Sequence, residues 1–176
     1  MRGITWGLLA AWIVHDLEEL LTMPSWSQEA PEQVRAVLPQ VPDGVLNQLP
    51  MSRAEAATAI GLTGLAIAAA SASGARTGGA SKFFQASLAG FGLHAGTHLA
   101  QSAVLRRYTP GLVTTPLVVI PYSVWAWRRL KRSGVPIHPS DARLNVLLAA
   151  VVPAAHAVAR LRRLRRGASG RPTMEL

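Results

Sequence analysis

The sequence contains no cysteine among its 176 residues. Disulfide bonds, thiolate metal sites and cysteine nucleophiles are therefore excluded. Charged residues are also scarce, at 15%, against about 25% in ordinary soluble domains. The sequence has no GxSxG motif and no glycine-rich phosphate loop, so serine-hydrolase and nucleotide chemistry both lack support.

Hydrophobic residues make up 49% of the chain and come in blocks separated by short polar or basic stretches, which is the pattern of a multi-span membrane protein. Ser52 and Glu55 form a capping box that predicts a helix start. Pro24 disfavours helix in the residue before it and predicts the end of the first span. We predict five helical spans, at residues 3–22, 52–70, 83–105, 111–127 and 144–159, with a long connection at 24–51.

The expected fold class is therefore an all-α, polytopic membrane helix bundle of about five transmembrane helices. Residues 1–166 are expected to form a single integral membrane domain, and residues 167–176 a disordered tail. The protein is expected in the cell membrane, crossing it several times.

The net charge of +9 comes largely from arginines at the ends of apolar blocks. Aromatic residues do not alternate with them as a base-stacking surface requires, so nucleic acid is not an expected partner. Basic clusters that flank apolar spans are typical of anchors at phospholipid headgroups, and membrane lipids are the expected partners.

The stretch WIVHDLEELL places four ionisable residues directly behind the first apolar run. On a helix, Glu18 and Glu19 lie about 60° and 40° to either side of His15. Asp16 points about 100° away from His15. A face with one imidazole and two carboxylates can bind a divalent metal or hold a proton-transfer pair. A charged side chain at mid-bilayer costs about 2.5–3.5 kcal/mol on insertion scales, so these groups need partners.

The third span offers those partners. His94 and His98 are four residues apart, so they project from one helix face, and this spacing suits zinc or iron. Measured from the helix ends at about 1.5 Å per residue, Glu18, His15 and His98 lie roughly 6, 10 and 10 Å deep. We therefore predict that the first and third spans pack side by side around one polar pocket in one half of the bilayer. The predicted metal ligands are His15, Glu18, Glu19, His94 and His98.

Three further polar residues have side chains that can take part in chemistry. Tyr122, in the fourth span, is predicted either as a proton donor or as an aromatic residue of the membrane interface, and it joins Glu18 and Glu19 as a candidate catalytic residue. His156 lies on the short fifth span, where packing is the commoner role. His138 lies in a loop and is expected to be solvated.

Two stretches carry a resemblance to a known family. HDLEE, residues 15–19, resembles the signature of the HXXEE-domain membrane proteins. HAGTHLAQSAVLRRYTPGLVTTPLVVIPYSVW, residues 94–125, is similar to that family's second block, in which a histidine follows a polar residue, usually asparagine, by four positions. A YSPG-T turn and a proline-containing helix come next in the family. The matching positions here are His98, Tyr108, Pro110, Gly111 and Thr114.

His94 departs from this pattern, because it stands where the family usually has asparagine. The resemblance spans most of the chain apart from the 24–51 connection and the fifth span. It implies an architecture and a set of candidate residues, but no reaction, since the activity of the family is not established.

Together these features predict a small membrane enzyme with its site between helices. A bound divalent metal, zinc or iron, would activate water or polarise a carbonyl of a lipid-like or other hydrophobic small molecule. One glutamate would instead serve as a base, and both hydrolase and isomerase chemistry stay open. The alternative is a non-enzymatic carrier or ligand-binding protein, in which the buried carboxylates and histidines relay protons or hold the ligand.

Overall fold

The computed structural model describes residues 1–139 and 142–169, and within these ranges every regular element is helical. The all-α prediction is therefore confirmed. The elements are α1 (Arg2–Val37), α2 (Asp43–Leu46), α3 (Arg53–Arg76), α4 (Lys82–Leu105), a π-helical turn (Thr115–Val119) that continues into α5 (Ile120–Arg132), and α6 (Ala142–Ser169). Residues 170–176 of the predicted disordered tail lie outside the described residues.

The first helix is longer than predicted. It continues through Pro24 and Pro31 for 36 residues, or about 54 Å at 1.5 Å per residue. The predicted break at Pro24 is wrong because tertiary contacts hold the next turn helical. The Ser27 hydroxyl accepts a hydrogen bond from the Met51 backbone N–H at 3.0 Å, and the Gln28 amide donates to the Met51 carbonyl at 3.2 Å.

The start of α3 agrees with its sequence signal. Ser52 accepts a hydrogen bond from the Glu55 backbone N–H, and the Glu55 side chain accepts one from the Ser52 backbone N–H. This capping box satisfies donors that the first turn of a helix otherwise leaves unpaired.

His138 is not solvated as expected. It is half-buried, and its Nε2–H donates to the Ala80 carbonyl at 2.8 Å. The buried Gln85 side chain also joins the loop that contains Ala80 to the loop that contains His138. It donates to the Gly79 and Pro136 carbonyls and accepts from the His138 backbone N–H.

Contacts between the helices give their directions. Thr114, just before the π-helical turn, contacts His15, whereas Tyr122 on α5 reaches back to Ile4. The segment from Thr114 through α5 therefore runs antiparallel to α1. His15 lies against Phe91 and His94, whereas Glu19, one turn further along α1, lies against His98, further along α4. Helix α4 therefore runs alongside α1 in the same direction.

The main core lies between α1, α4 and α5. Its buried members are Ile4, Leu8, Ala11, Phe84, Leu88, Phe91, Ala95, Val119, Ala126 and Leu130. Helix α3 packs closely on α1 because Gly64 leaves room for the Trp12 ring, which a Cβ at this position would approach to 2.7 Å. Helix α6 packs on the other side of α3 through small residues: Ala59, Ala155 and Ala159.

Among the described helices, α3 alone is long and apolar enough to cross a membrane by length and composition. One such helix is weak evidence of a membrane protein, so the prediction of five spans is not confirmed. Helix α1 carries Asp16, Glu18 and Glu19 within its apolar part, which lowers its mean hydropathy.

Candidate metal centre

Four side chains from α1 and α4 converge on one point. His15 and Glu19 come from α1, and His94 and His98 come from α4. One ligand atom from each lies within 4.8 Å of all the others. His15, Glu19 and His98 are buried, and His94 is half-buried. We call this set the His/Glu cluster.

His98 lies at the centre of the His/Glu cluster. Its Nε2 lies 3.2 Å from His15 Nε2, 2.7 Å from His94 Nε2 and 3.3 Å from Glu19 Oε1. The Glu19 Oε1 atom lies 3.8 Å from His15 Nε2. In a tetrahedral zinc site with bonds of about 2.0–2.1 Å, ligand atoms lie about 3.3 Å from one another. The His/Glu cluster therefore has the size of a single-ion site.

Hydrogen bonds on the far side of two imidazoles fix which nitrogen carries the proton. His98 Nδ1–H donates to the Pro110 carbonyl at 2.8 Å. His15 Nδ1 lies 2.8 Å from the Thr114 hydroxyl oxygen. That hydroxyl donates its proton to the Glu18 carboxylate, which can only accept, so His15 Nδ1–H must be the donor to Thr114. Both rings therefore turn an unprotonated Nε2 towards the cluster.

This arrangement leaves two acceptors, His15 Nε2 and His98 Nε2, facing each other at 3.2 Å. The His15 and His98 Nε2 lone pairs and the Glu19 carboxylate point at the same small volume, with His94 Nε2 beside them. Burying polar atoms without a donor costs free energy. A cation at the centre would satisfy all of them at once, and a metal-bound histidine normally donates its other N–H to an oxygen, as both of these rings do. The His/Glu cluster could thus hold a metal ion.

The 106–114 loop, between α4 and the π-helical turn, covers two of the rings. Gly111 in this loop has φ +80°, a left-handed conformation that favours glycine. A Cβ at Gly111 would lie 2.7 Å from Cε1 of both His15 and His98. The loop therefore needs glycine here for two reasons, its backbone conformation and its close approach to the imidazoles.

Glu18 lies outside the His/Glu cluster, although the sequence predicted it as a ligand. Its carboxylate accepts hydrogen bonds from the Tyr108 hydroxyl at 2.6 Å, the Val113 N–H at 3.1 Å and the Thr114 N–H at 2.8 Å. The Thr114 hydroxyl is the fourth donor. Burial and the hydrogen bond to Glu18 raise the pKa of the Tyr108 phenol.

Tyr122, the other predicted catalytic residue, is not brought to the cluster, and neither are His156, for which packing was the expected role, and Asp16, which was expected to point away from His15. The Tyr122 hydroxyl donates to the Ile4 carbonyl. Ile4 precedes His15 by eleven residues on α1, or about 16 Å along the helix. His156 lies on α6, which packs against α3, and Asp16 is buried on α1 but is not a member of the cluster.

Sequence reasoning gave no role to Thr114, Gly111 or the Pro110 carbonyl, although all three contact cluster histidines. The available signal was the Pro-Gly turn followed three residues later by threonine, which also carries the family resemblance. A surface cavity of about 670 Å³ lies elsewhere, along α5 beside Arg128, Arg129 and Arg132.

A family model described as a protein of unknown function with HXXEE motif matches residues 6–126. The match includes both the 15–19 pentad and the 106–114 loop. Searches of curated proteins and of solved structures found no match.

Proposed function

Because the chain belongs to the HXXEE family, whose function is unknown, its activity has to be inferred from its own residues, and we propose a membrane-embedded, metal-dependent enzyme. It acts on a lipid-like or other hydrophobic small molecule by hydrolysis or isomerisation. The observation that carries the proposal is the buried His/Glu cluster, in which two imidazoles present an unprotonated Nε2 to one point.

The donor set suits zinc, or iron as the second choice. Imidazole nitrogens are borderline donors and a carboxylate oxygen is a hard donor, and both metals accept this mixed set. When bound, such an ion supplies Lewis-acid polarisation of a substrate carbonyl or of water.

Glu19 is the best candidate for moving a proton. It is buried beside His98, and unlike Glu18 it accepts no hydrogen bond from another described residue. A carboxylate with free acceptor capacity next to the reacting atoms is positioned to act as a general base. If the three histidines hold the ion, Glu19 is free for this role.

The surface supports a hydrophobic environment and substrate. Large apolar side chains are exposed on every long helix, among them Leu17 and Leu21 on α1, Leu65 on α3 and Leu93 on α4. Exposed large apolar side chains on so many helices favour contact with a membrane or an apolar ligand. Leu93 is 77% exposed and adjoins the half-buried His94, so the α4 face is the side from which an apolar substrate would reach the cluster. We propose that α1, α3, α4, the π-helical turn together with α5, and α6 all cross the bilayer.

Metal analysis of the purified full-length protein in detergent tests the proposal. We expect about one zinc or iron ion per chain, lost in His98→Gln because this ring contacts both other histidines and Glu19. His156→Gln is the matched control, since it changes a histidine outside the cluster and should keep the ion. No bound metal in the wild-type protein, with none gained on incubation with zinc or ferrous iron, would contradict the metal-dependent function.

The substrate is best sought in cells. Untargeted lipid and metabolite profiles would be compared among three strains: a deletion strain, the same strain carrying the wild-type gene, and the same strain carrying Glu19→Gln. An accumulated compound common to the deletion and to Glu19→Gln identifies the substrate class. Identical profiles in all strains would argue against an enzymatic role for Glu19.

A second function, a proton-coupled carrier, is favoured by one specific observation. A continuous chain of polar contacts runs from exposed Tyr108 through Glu18, Thr114 and His15 to His98. Such chains can relay protons in membrane proteins. Protein in liposomes would then show proton-coupled flux that survives metal chelation, whereas the enzyme would show none.

A further inference from the structure

We propose that the two glutamates of the pentad have different roles, with Glu18 acting as a positioning residue that fixes the 106–114 loop over the site. Through Thr114 it also holds His15 in the tautomer that presents Nε2 to the His/Glu cluster. The loop-fixing role stands on its own, and only its effect on a metal rests on the proposed function.

The first argument is the hydrogen-bonding capacity of Glu18. A carboxylate offers about four lone-pair sites. Four donors already occupy them: the Tyr108 hydroxyl, the Val113 N–H, and both the N–H and the hydroxyl of Thr114. Glu18 therefore has no acceptor site left for a metal, whereas Glu19 has both oxygens available.

The second argument is the direction of the Thr114 hydroxyl. Its single proton goes to the Glu18 carboxylate, so its oxygen is left to accept from His15 Nδ1–H at 2.8 Å. Without a carboxylate at position 18, the hydroxyl would be free to donate to His15 Nδ1 instead. The ring would then carry its proton on Nε2 and could not bind an ion there.

The third argument is that one loop serves two rings. The loop held by Glu18 also supplies the Pro110 carbonyl to His98 Nδ1 and places Gly111 against both His15 and His98. The contact to Glu18 is charge-assisted, which makes these hydrogen bonds stronger than neutral ones. Loosening this contact should therefore disturb both histidines together.

The metal arm of the test measures zinc affinity and the visible spectrum of the cobalt-substituted protein. Loss of an outer-sphere partner typically weakens metal binding 10–100-fold. We expect that loss for Glu18→Gln and for Thr114→Val, with stoichiometry kept and the cobalt spectrum still that of the same ligand set. Thr114→Ser should restore affinity because it keeps the hydroxyl. Thr63→Val is the matched control, since within the described part of the chain the Thr63 hydroxyl bonds to the Ala59 carbonyl of α3 alone.

A second arm needs no metal. The chain has two tyrosines, so a Tyr122→Phe background leaves Tyr108 as the only phenol to follow by ultraviolet titration. The Glu18 carboxylate favours the protonated phenol. Glu18→Gln should therefore lower the pKa of Tyr108, and Glu55→Gln, at the capping box of α3, should leave it unchanged.

The outcomes separate the two proposals. If the wild-type protein binds no metal but the Tyr108 pKa falls in Glu18→Gln, the metal-dependent function fails and the loop-fixing role holds. An unchanged Tyr108 pKa overturns the loop-fixing role. If Glu18→Gln abolishes metal binding and alters the cobalt spectrum while Thr114→Val does neither, Glu18 is itself a ligand and the division of roles is wrong.

Discussion

Replacing Gly111 with alanine tests the geometry of the site most directly. The residue has φ +80°, and an alanine there carries a left-handed conformational cost of about 1–2 kcal/mol. The added Cβ would also lie 2.7 Å from Cε1 of both His15 and His98. Overpacking of this kind typically costs about 1–3 kcal/mol. Together the two effects should lower the free energy of unfolding by about 2–5 kcal/mol.

Gly134→Ala is the matched control. Gly134 has φ +68°, and a Cβ there would meet nothing within 4 Å. Only the conformational cost of about 1–2 kcal/mol applies to it. Thermal unfolding in detergent and zinc titration would be measured on both variants. Equal loss of stability in the two variants, together with unchanged zinc affinity in Gly111→Ala, would refute the close contact between this loop and the imidazoles.

Three further results are expected. Removing bound metal with a chelator should lower the unfolding temperature, and adding zinc again should restore it, because a ligand at 100 times its Kd stabilises the folded protein by about 2.7 kcal/mol. An unfolding temperature that changes with neither treatment would contradict metal binding. Gln85→Leu should destabilise the protein by about 1–3 kcal/mol, because it removes the partner of three backbone groups in two loops. Zinc affinity should stay as in the wild type, and a change in affinity would contradict the separation of Gln85 from the His/Glu cluster. Gly64→Ala should destabilise the packing of α3 on α1 at Trp12. Gly61→Ala, with open space at its Cβ, should instead stabilise the protein by about 0.5–1 kcal/mol through helix propensity. The reverse order of the two unfolding temperatures would show that α1 and α3 do not approach each other at Gly64.

Features set by neighbouring residues could be predicted from the sequence. The capping box at Ser52 and Glu55 spans one helical turn, so its donors and acceptors are fixed locally. The same holds for His94 and His98, whose four-residue spacing places them on one face. The break expected at Pro24 failed for the opposite reason, because a distant residue, Met51, supplies the contacts that keep the chain helical.

The separation of Glu18 from Glu19 could not be read from the pentad. A helical wheel places the two carboxylates on either side of His15 at similar angles, so each is equally able to face α4. The side on which the 106–114 loop lies decides between them. That loop is about 90 residues away in sequence, and no local pattern in α1 specifies its position.

The left-handed turn at Gly111 also bears on how related sequences should be read. Pro110 lies twelve residues after His98 and gives its carbonyl to that ring, and the glycine directly after it lies against both imidazoles. A chain that keeps the HXXEE pentad but carries a side chain at this glycine would have the ligands without the space to bring them together. The glycine, rather than the pentad alone, is therefore the position by which to separate chains that can assemble this site from chains that only share its signature.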